Sequence, residues 1–434
     1  MLIVGLTFQK WLVPTFFNDF GSAEGLLSYD ARTFHTTAKS KAIEIISLGW
    51  AKWELRPDGH SPAGVASLFY ALFSPSPVSV LPLNALIHAV TAYLVLRIMQ
   101  DFFPPLTAVA GALIFALNPF SFEWSAQIHR DGIFILGNIL LLYVFNLILS
   151  RLRGATQREN MSLLKLFLLL FFGSFLVWLA RPLWGPVSSA LTIITLGLYL
   201  IAAVGADRDS KKATVSIILL LTIGFQIWLG ALNSPEAESV LVKSAEIKSA
   251  EIKSAETSSQ NTDPLQNLWS RSEWLPLFME SRFLQIATSR RNSIDLKGGT
   301  AIDYDQQFIS AGEVIEYIPR ALFVGLFSPF PEHWGGEGST PALTLGRRVV
   351  GVLTFLSYPC LAGVLILLCR KKEYGLWVLI FFCMFQILIL ALAFANVGTI
   401  MRYRFGFHNL LVALGFAMLF CIWLENKRSR TAPV

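Results

Sequence analysis

Two aspartates and a few arginines stand out in a chain otherwise poor in charge. Asp30 opens the run Y-D-A-R-T-F-H-T-T-A, in which Asp30, Phe34 and Ala38 recur at i, i+4 and i+8, one face of a helix. A carboxylate there sits at the positive end of the helix macrodipole. A plain N-cap is the competing reading. Asp131 ends N-P-F-S-F-E-W-S-A-Q-I-H-R-D and precedes a long apolar run, so it too starts a helix, with capping again the alternative. Placed at the same depth on one side of a membrane, the two carboxylates converge on one external cavity. His129 is a metal ligand or general base, or else an ordinary interfacial histidine, and Arg130 stands between it and Asp131. Arg402 and Arg404 flank Tyr403 in N-V-G-T-I-M-R-Y-R-F-G-F-H-N, and Arg181 stands in L-A-R-P-L-W. Such arginines suit a phosphate or pyrophosphate headgroup, held through bidentate charge-assisted bonds. Pairing with acidic residues outside the membrane is the alternative.

The elements that position these residues are apolar. Of 434 residues, 54% are AVILMFWYC and only 15% are charged, against about 25% in an average soluble domain. Mean hydropathy is +0.56. This excludes a disordered chain and argues against a soluble enzyme. The apolar residues fall in blocks, several of them reaching the roughly 17–25 residues that span a bilayer. The blocks are 2–17, 78–98, 106–121, 132–150, 164–180, 187–204, 213–232, 347–369, 375–395 and 406–424. These give about ten transmembrane helices. Block 319–331 lies between two prolines and reads as a short re-entrant or interfacial helix. Block 2–17, interrupted by Lys10 and Pro14, reads as an uncleaved first helix, since no A-x-A-like site follows it. The four cysteines, Cys360, Cys369, Cys383 and Cys421, lie in or at the ends of apolar blocks and form no metal-binding pattern.

Charge sets the orientation. Basic residues gather at Arg151–Lys165, at Arg208–Lys212, at Arg370–Lys372 and in the tail at Lys427–Arg430. Counting spans puts all four groups on one side, which the positive-inside rule makes cytoplasmic, with both termini there. The net charge of +6 is therefore a topology signal, and no nucleic-acid partner is expected. Two external segments remain, 18–77 and 233–318. The second holds thirteen acidic against eight basic residues and a K-S-A-E-I repeat at 243–256, which reads as a solvated helix or tether without a catalytic role. Three regions follow. Residues 1–232 form a membrane module with the first external loop, 233–318 an acidic external domain, and 319–434 a second membrane module. Few ionisable residues lie in mid-span, which suits a reaction at the outer membrane surface better than a path through the bilayer.

The order of these features resembles the GT-C membrane glycosyltransferases, in particular the bacterial branch related to protein O-mannosyltransferases and aminoarabinose lipid A transferases. The family's first-loop pattern of an Asp, an aromatic four residues on and an Ala four further is similar to Asp30, Phe34 and Ala38, with Phe where Tyr is usual. Its H-x-P before the second span resembles His60 and Pro62, and its Pro followed by Asp before the fourth resembles Pro119 and Asp131. Its late R-Y-R-x-P resembles Arg402, Tyr403 and Arg404, with Gly406 in place of Pro. The stretch S-P-F-P-E-H-W at 328–334 also looks like a bacterial member.

The resemblance implies an all-α polytopic fold of the GT-C kind. It also implies sugar transfer from a polyprenyl-phosphate-linked donor to a lipid, polysaccharide or protein acceptor, on the outer face of the cytoplasmic membrane. Asp30 would then be the general base. Asp131 would orient the acceptor or help hold a divalent cation, the one cofactor to be considered. Arg402, Arg404 and Arg181 would stabilise the departing phosphate, and Tyr403, His60 and Arg130 would line the substrate site. Two alternatives stand beside this reading. One is a polymerase or ligase of the O-antigen type acting on lipid-pyrophosphate-linked glycans, whose key arginines would be Arg271, Arg282, Arg290 and Arg291. The other is a lipid flippase or transporter.

Overall fold

The computed structural model describes residues 1–17, 24–151, 162–203, 210–231, 269–295, 300–337 and 341–431. The K-S-A-E-I repeat, Lys297 and the basic residues Arg153, Arg158 and Arg208 lie outside the described residues. Among those described there is no strand, only two isolated bridges at Ser270–Ser310 and Ala301–Asn396.

Among the described residues, six helices are long and apolar enough to cross a membrane: Pro77–Phe102, Asp131–Ser150, Leu163–Ala180, Thr344–Arg370, Tyr374–Ala393 and Val397–Arg430. They coincide with six of the expected spans. The span expected at 106–121 is a bent pair, Pro105–Ala116 and Pro119–Ala126, with 53° between its halves. The bend follows from Asn118-Pro119. A residue before proline leaves the α region, and Asn118 instead caps the second half by accepting from the Phe120 N–H at 3.1 Å. The spans expected at 2–17, 187–204 and 213–232 correspond to the shorter apolar helices Leu2–Phe16, Gly185–Ile201 and Val215–Leu229. Block 319–331 holds a ten-residue helix, Ile318–Phe327. The chain is an all-α, multi-pass membrane protein.

In chain order the helices used below are α1 (Leu2–Phe16), α2 (Tyr29–Leu48), α3 (Ser61–Leu72), α4 (Leu81–Phe102), α5 (Pro105–Ala116), α6 (Pro119–Ala126), α7 (Asp131–Arg151), α8 (Leu163–Ala180), α9 (Leu277–Asp295), α10 (Ala311–Glu316), α11 (Ile318–Phe327), α12 (Pro341–Arg370), α13 (Tyr374–Ala393) and α14 (Val397–Thr431). They divide into two compact units. The first is Met1–Gly230 with Glu332–Ile380 and Asn409–Val434; the second is Ala231–Pro331 with Phe381–His408.

In the first unit α7 is the central helix, with 83% of its span buried. It meets α8 almost backbone to backbone. A Cβ on Gly137 would lie 2.9 Å from the Gly173 carbonyl oxygen, so small residues set this crossing. A second close approach joins α12 to α14, where a Cβ on Gly363 would come within 2.5 Å of the Gly415 carbonyl oxygen. Outside the spans, α2 packs on α3. Phe34, Ala38 and Ala42 form a cluster with Ala63, Ala66 and Tyr70, the alanines letting the two helices approach closely.

The second unit is built around α9, α10 and α11. Trp269, Leu284, Ala287, Phe308, Val314 and Tyr317 are among its core residues. Arg290 of α9 lies inside this core with 1% exposure. It donates to the carbonyls of Gln306 and Asp303 at 2.9 Å, and to those of Ala391, Leu392 and Phe394 at the end of α13 at 3.3–3.5 Å. A guanidinium can be buried here because its donors meet the orphan carbonyls of a helix C-terminus, where positive charge is favoured. The rings of Phe308 and Tyr317 pack on it at 5.2 and 4.8 Å.

Candidate functional site

Asp30 lies in the first turn of α2, and what fixes it is the capping of that helix. Ser28 is the N-cap, its hydroxyl accepting the Ala31 N–H at 3.0 Å. The same hydroxyl lies 3.2 Å from Nε2 of His129. One turn earlier, Gln127 clamps the incoming strand of chain. Its Oε1 accepts the Leu27 N–H at 2.8 Å and its Nε2 donates to the Gly25 carbonyl at 2.9 Å. Gln127 is fully buried, and its own carbonyl accepts from Asn84 of α4 at 2.8 Å. Gly25 has φ +81°, and a Cβ there would fall 2.2 Å from the Gln9 carbonyl oxygen of α1, so only glycine fits. The segment 127–131 therefore carries both the anchor of Asp30 and, at the start of α7, Asp131.

Asp131 is 2% exposed and paired with Arg181, whose Nη2 donates to Oδ1 at 2.7 Å. Arg181 lies just past the end of α8 and also sits over the Phe134 ring at 5.1 Å. Capping alone does not account for Asp131, since its carboxylate compensates a charge across two helices. Arg130 sits over the Phe34 ring at 5.5 Å, and His60, the residue before α3, packs on Phe34 with ring centroids 5.2 Å apart. Asp30, His60, Arg130, Asp131 and Arg181 all belong to the first unit.

Two members of this neighbourhood have no signal in the sequence. Arg56 sits over the Trp178 ring of α8 at 5.1 Å, and its Nη2 donates to the Gly59 carbonyl at 3.4 Å. Its R-P-D-G-H context marks a loop, and nothing local ties it to a tryptophan far along the chain. The second is the trio Glu24–His35–Tyr70. Nε2 of His35 lies 2.5 Å from the Glu24 carboxylate, and its Nδ1 lies 2.6 Å from the Tyr70 hydroxyl. Burial lowers the imidazole's proton affinity. Glu24 opposes this, Lys39 adds to it, and the net direction is down. Burial also raises the Tyr70 phenol, with Glu24 adding to the effect.

Arg402, Tyr403 and Arg404 belong to the second unit. Arg404 is 3% exposed and donates to the carbonyls of Val324, Gly325 and Ser328, at and just past the end of α11. Arg402 is half-buried and sits over the Tyr403 ring at 5.6 Å, and Tyr403 meets Phe394 edge-on at 5.2 Å. In the same unit, Asp303 accepts from Nε and Nη2 of Arg320, both at 2.9 Å, and from the Tyr317 hydroxyl at 2.5 Å. Burial pushes the Asp303 carboxyl up, but the bonds from Arg320 and Tyr317 outweigh it and hold it below the usual carboxylate range. Tyr317 is pushed up to about 12 by burial and by Asp303. Among the described residues no three His, Cys, Asp or Glu side chains come together as a metal site.

No protein-family model matches the chain. No curated protein matches it. Among solved structures, the archaeal oligosaccharyltransferase AglB from Archaeoglobus fulgidus, in complex with an inhibitory peptide and a dolichol-phosphate, is similar with a TM-score of 0.48 and 12% identity. The match covers 100% of this chain and 51% of that one, so the chain spans about half the length of that enzyme.

Proposed function

We propose that the chain is a membrane glycosyltransferase of the GT-C kind, using a polyprenyl-phosphate-linked sugar as donor and a lipid, polysaccharide or protein as acceptor. The reaction takes place at the outer face of the cytoplasmic membrane, with both termini inside. Residues 1–232 and 319–434 are its membrane modules, and 233–318 its external domain. The observation that supports this reading best is the tie between the capped start of α2, which carries Asp30, and the segment 127–131, which leads to Asp131. Two carboxylate-bearing helix starts are thus held as one assembly.

The chemistry assigned to them is a single displacement. Asp30 takes the proton from the acceptor hydroxyl as its oxygen bonds to the anomeric carbon. The bond from that carbon to the phosphate oxygen breaks, and its electron pair leaves with the lipid phosphate, so the anomeric centre inverts. A phosphate leaves without protonation, and its developing charge calls for a cation, the role given to Arg181 beside Asp131. Asp131, fixed by Arg181, orients the acceptor. It is also the residue through which a divalent cation would act, should one be required. His60 and Arg130 line the acceptor side. Arg290 speaks against the polymerase reading, since its donors are already directed at main-chain carbonyls. The test is Asp30→Asn in cells, with surface glycans and lipids compared by mass spectrometry. Loss of a hexose with normal membrane insertion is expected, and an active Asp30→Asn protein sinks the assignment.

A further inference from the structure

The bend between α5 and α6 withholds two backbone bonds. In a continuous helix the Phe115 carbonyl takes the N–H of residue 119, and that residue is proline, which has none. The Ala116 carbonyl takes the N–H of Phe120, which turns instead to the Asn118 side chain at 3.1 Å. Both carbonyls are served from other helices. Asn409 of α14 donates its Nδ2 to Phe115 at 3.0 Å, and Nε2 of His88 in α4 donates to Ala116 at 3.0 Å.

Asn409 does more than fill a gap. Its Oδ1 accepts from Nδ2 of Asn118 at 3.1 Å. One side chain thus grips the last turn before the bend and the cap of the helix after it. Asn409 is 2% exposed and belongs to the first unit. One turn away α5 and α14 are pressed together, since a Cβ on Gly111 would lie 3.1 Å from the Ala413 carbonyl oxygen. A buried amide that uses both its oxygen and its nitrogen in so close a crossing has little freedom to rearrange.

What the bend aims is α6, which ends at Gln127. Gln127 holds Leu27 and Gly25, and with them the capped start of α2. Asn84 of α4 donates to the Gln127 carbonyl at 2.8 Å. Asn84 and His88 stand one turn apart on one face of α4, so this helix holds the chain on either side of α6.

We propose that Asn409 and His88 are positioning residues: they fix the α5–α6 bend, and through it the segment 127–131 and the start of α2. Neither touches a reacting atom. That the fixed segments serve sugar transfer rests on the transferase reading; the fixing itself does not.

The full chain is purified in detergent, and its thermal unfolding and peptide-resolved hydrogen exchange are compared with surface glycans from cells. In Asn409→Ala the peptide 25–31 should exchange about tenfold faster, although none of its own hydrogen bonds is removed, and surface hexose should fall. Adding Pro119→Ala to that variant gives the Phe115 carbonyl an N–H within the helix. It should restore thermal stability while exchange stays fast and transfer low, because a straightened α5–α6 no longer aims Gln127. Slow exchange and full transfer returning together with stability would make Asn409 a mere stabiliser and overturn the proposal. Pro119→Ala alone serves where Asn409→Ala does not fold. It too should speed exchange at 25–31, and exchange there as slow as in the unaltered protein overturns the proposal. His88→Gln, which keeps a donor, should preserve slow exchange where His88→Leu does not; equal rates in the two remove His88 from the device. An active Asp30→Asn protein defeats the transferase reading alone and leaves the exchange results standing.

Discussion

The Ser28 hydroxyl lies 3.2 Å from Nε2 of His129, joining two residues 101 positions apart, each two places before an aspartate assigned to the site. One hydroxyl thus does two things. It accepts the Ala31 N–H as an N-cap and reaches the segment that leads into α7. Ser28→Ala removes both contacts. A lost cap costs about 1 kcal/mol, which a chain with six membrane-length helices tolerates. On the proposed transferase reading, with Asp30 as base, the expected result is a protein that inserts normally but transfers roughly tenfold less sugar, a loss of the size a small misplacement of that base produces. Unchanged glycan levels in Ser28→Ala cells would remove the positioning role.

Asp131 and Arg181 should behave as a pair. Asp131→Asn leaves the 90%-covered side chain of Arg181 without its carboxylate, and breaking a buried pair costs about 3–5 kcal/mol. Asp131→Asn with Arg181→Gln removes both charges and should recover part of that loss. The two thermal unfolding curves, compared in one detergent, decide. A double variant less stable than Asp131→Asn alone contradicts the compensation.

Arg290 makes a similar prediction for the second unit. Arg290→Met abandons the carbonyls at the end of α13 and should cost about 3 kcal/mol. Arg290→Lys, with a point charge in place of a fork, should recover only part. Faster proteolysis after Arg290→Met, at sites within the external segment, is the expected readout. A protease-resistant Arg290→Met protein would mean that the core holds without the cation.

His35 gives a pH dependence. Its imidazole is held below its ordinary value, so the unfolded chain binds the proton more readily than the folded one. The contribution is complete above the unfolded value near 6.5 and is lost as pH falls through the lower folded value. Hydrogen exchange in α2 should accelerate as pH falls below about 6.5. His35→Gln should flatten that profile. Acceleration of the same size in His35→Gln would assign the effect to another group.

Asp303 titrates with the same sign, for a different reason. Its carboxyl is held low by Arg320 and Tyr317, so the stability it brings is present above the usual carboxylate value and fades as pH falls below it. Arg320 is 45% exposed, and solvent screening limits the ion pair to about 1 kcal/mol. Asp303→Asn should therefore lower the unfolding temperature modestly at neutral pH, with a deficit that shrinks as pH falls below the usual carboxylate value. A deficit that does not change with pH would point to lost packing instead.

The membrane helices were legible because length and hydropathy specify them locally. The bend at Asn118-Pro119 fell inside one apolar block, where composition is blind to a backbone break. Asp30 and Asp131 were legible as helix starts, since caps are local. Their partners were not. Arg181 meets Asp131, and Arg56 meets Trp178, only through packing between distant helices. Arg404 teaches the opposite lesson. Its place outside the basic loops suggested an anion, and the bonds seen are to carbonyls at the end of α11, a need that no residue spacing announces.

The crossing of α7 and α8 has a mechanical consequence. The Gly137–Gly173 contact acts as a fulcrum. Asp131 lies about 9 Å from it along one helix, and Arg181 about 12 Å along the other. A methyl group at Gly137 wedges the helices apart at the pivot and swings the outer arms with them. The 2.7 Å ion pair is therefore set by a point deep within the apolar part of the protein, where no charge resides.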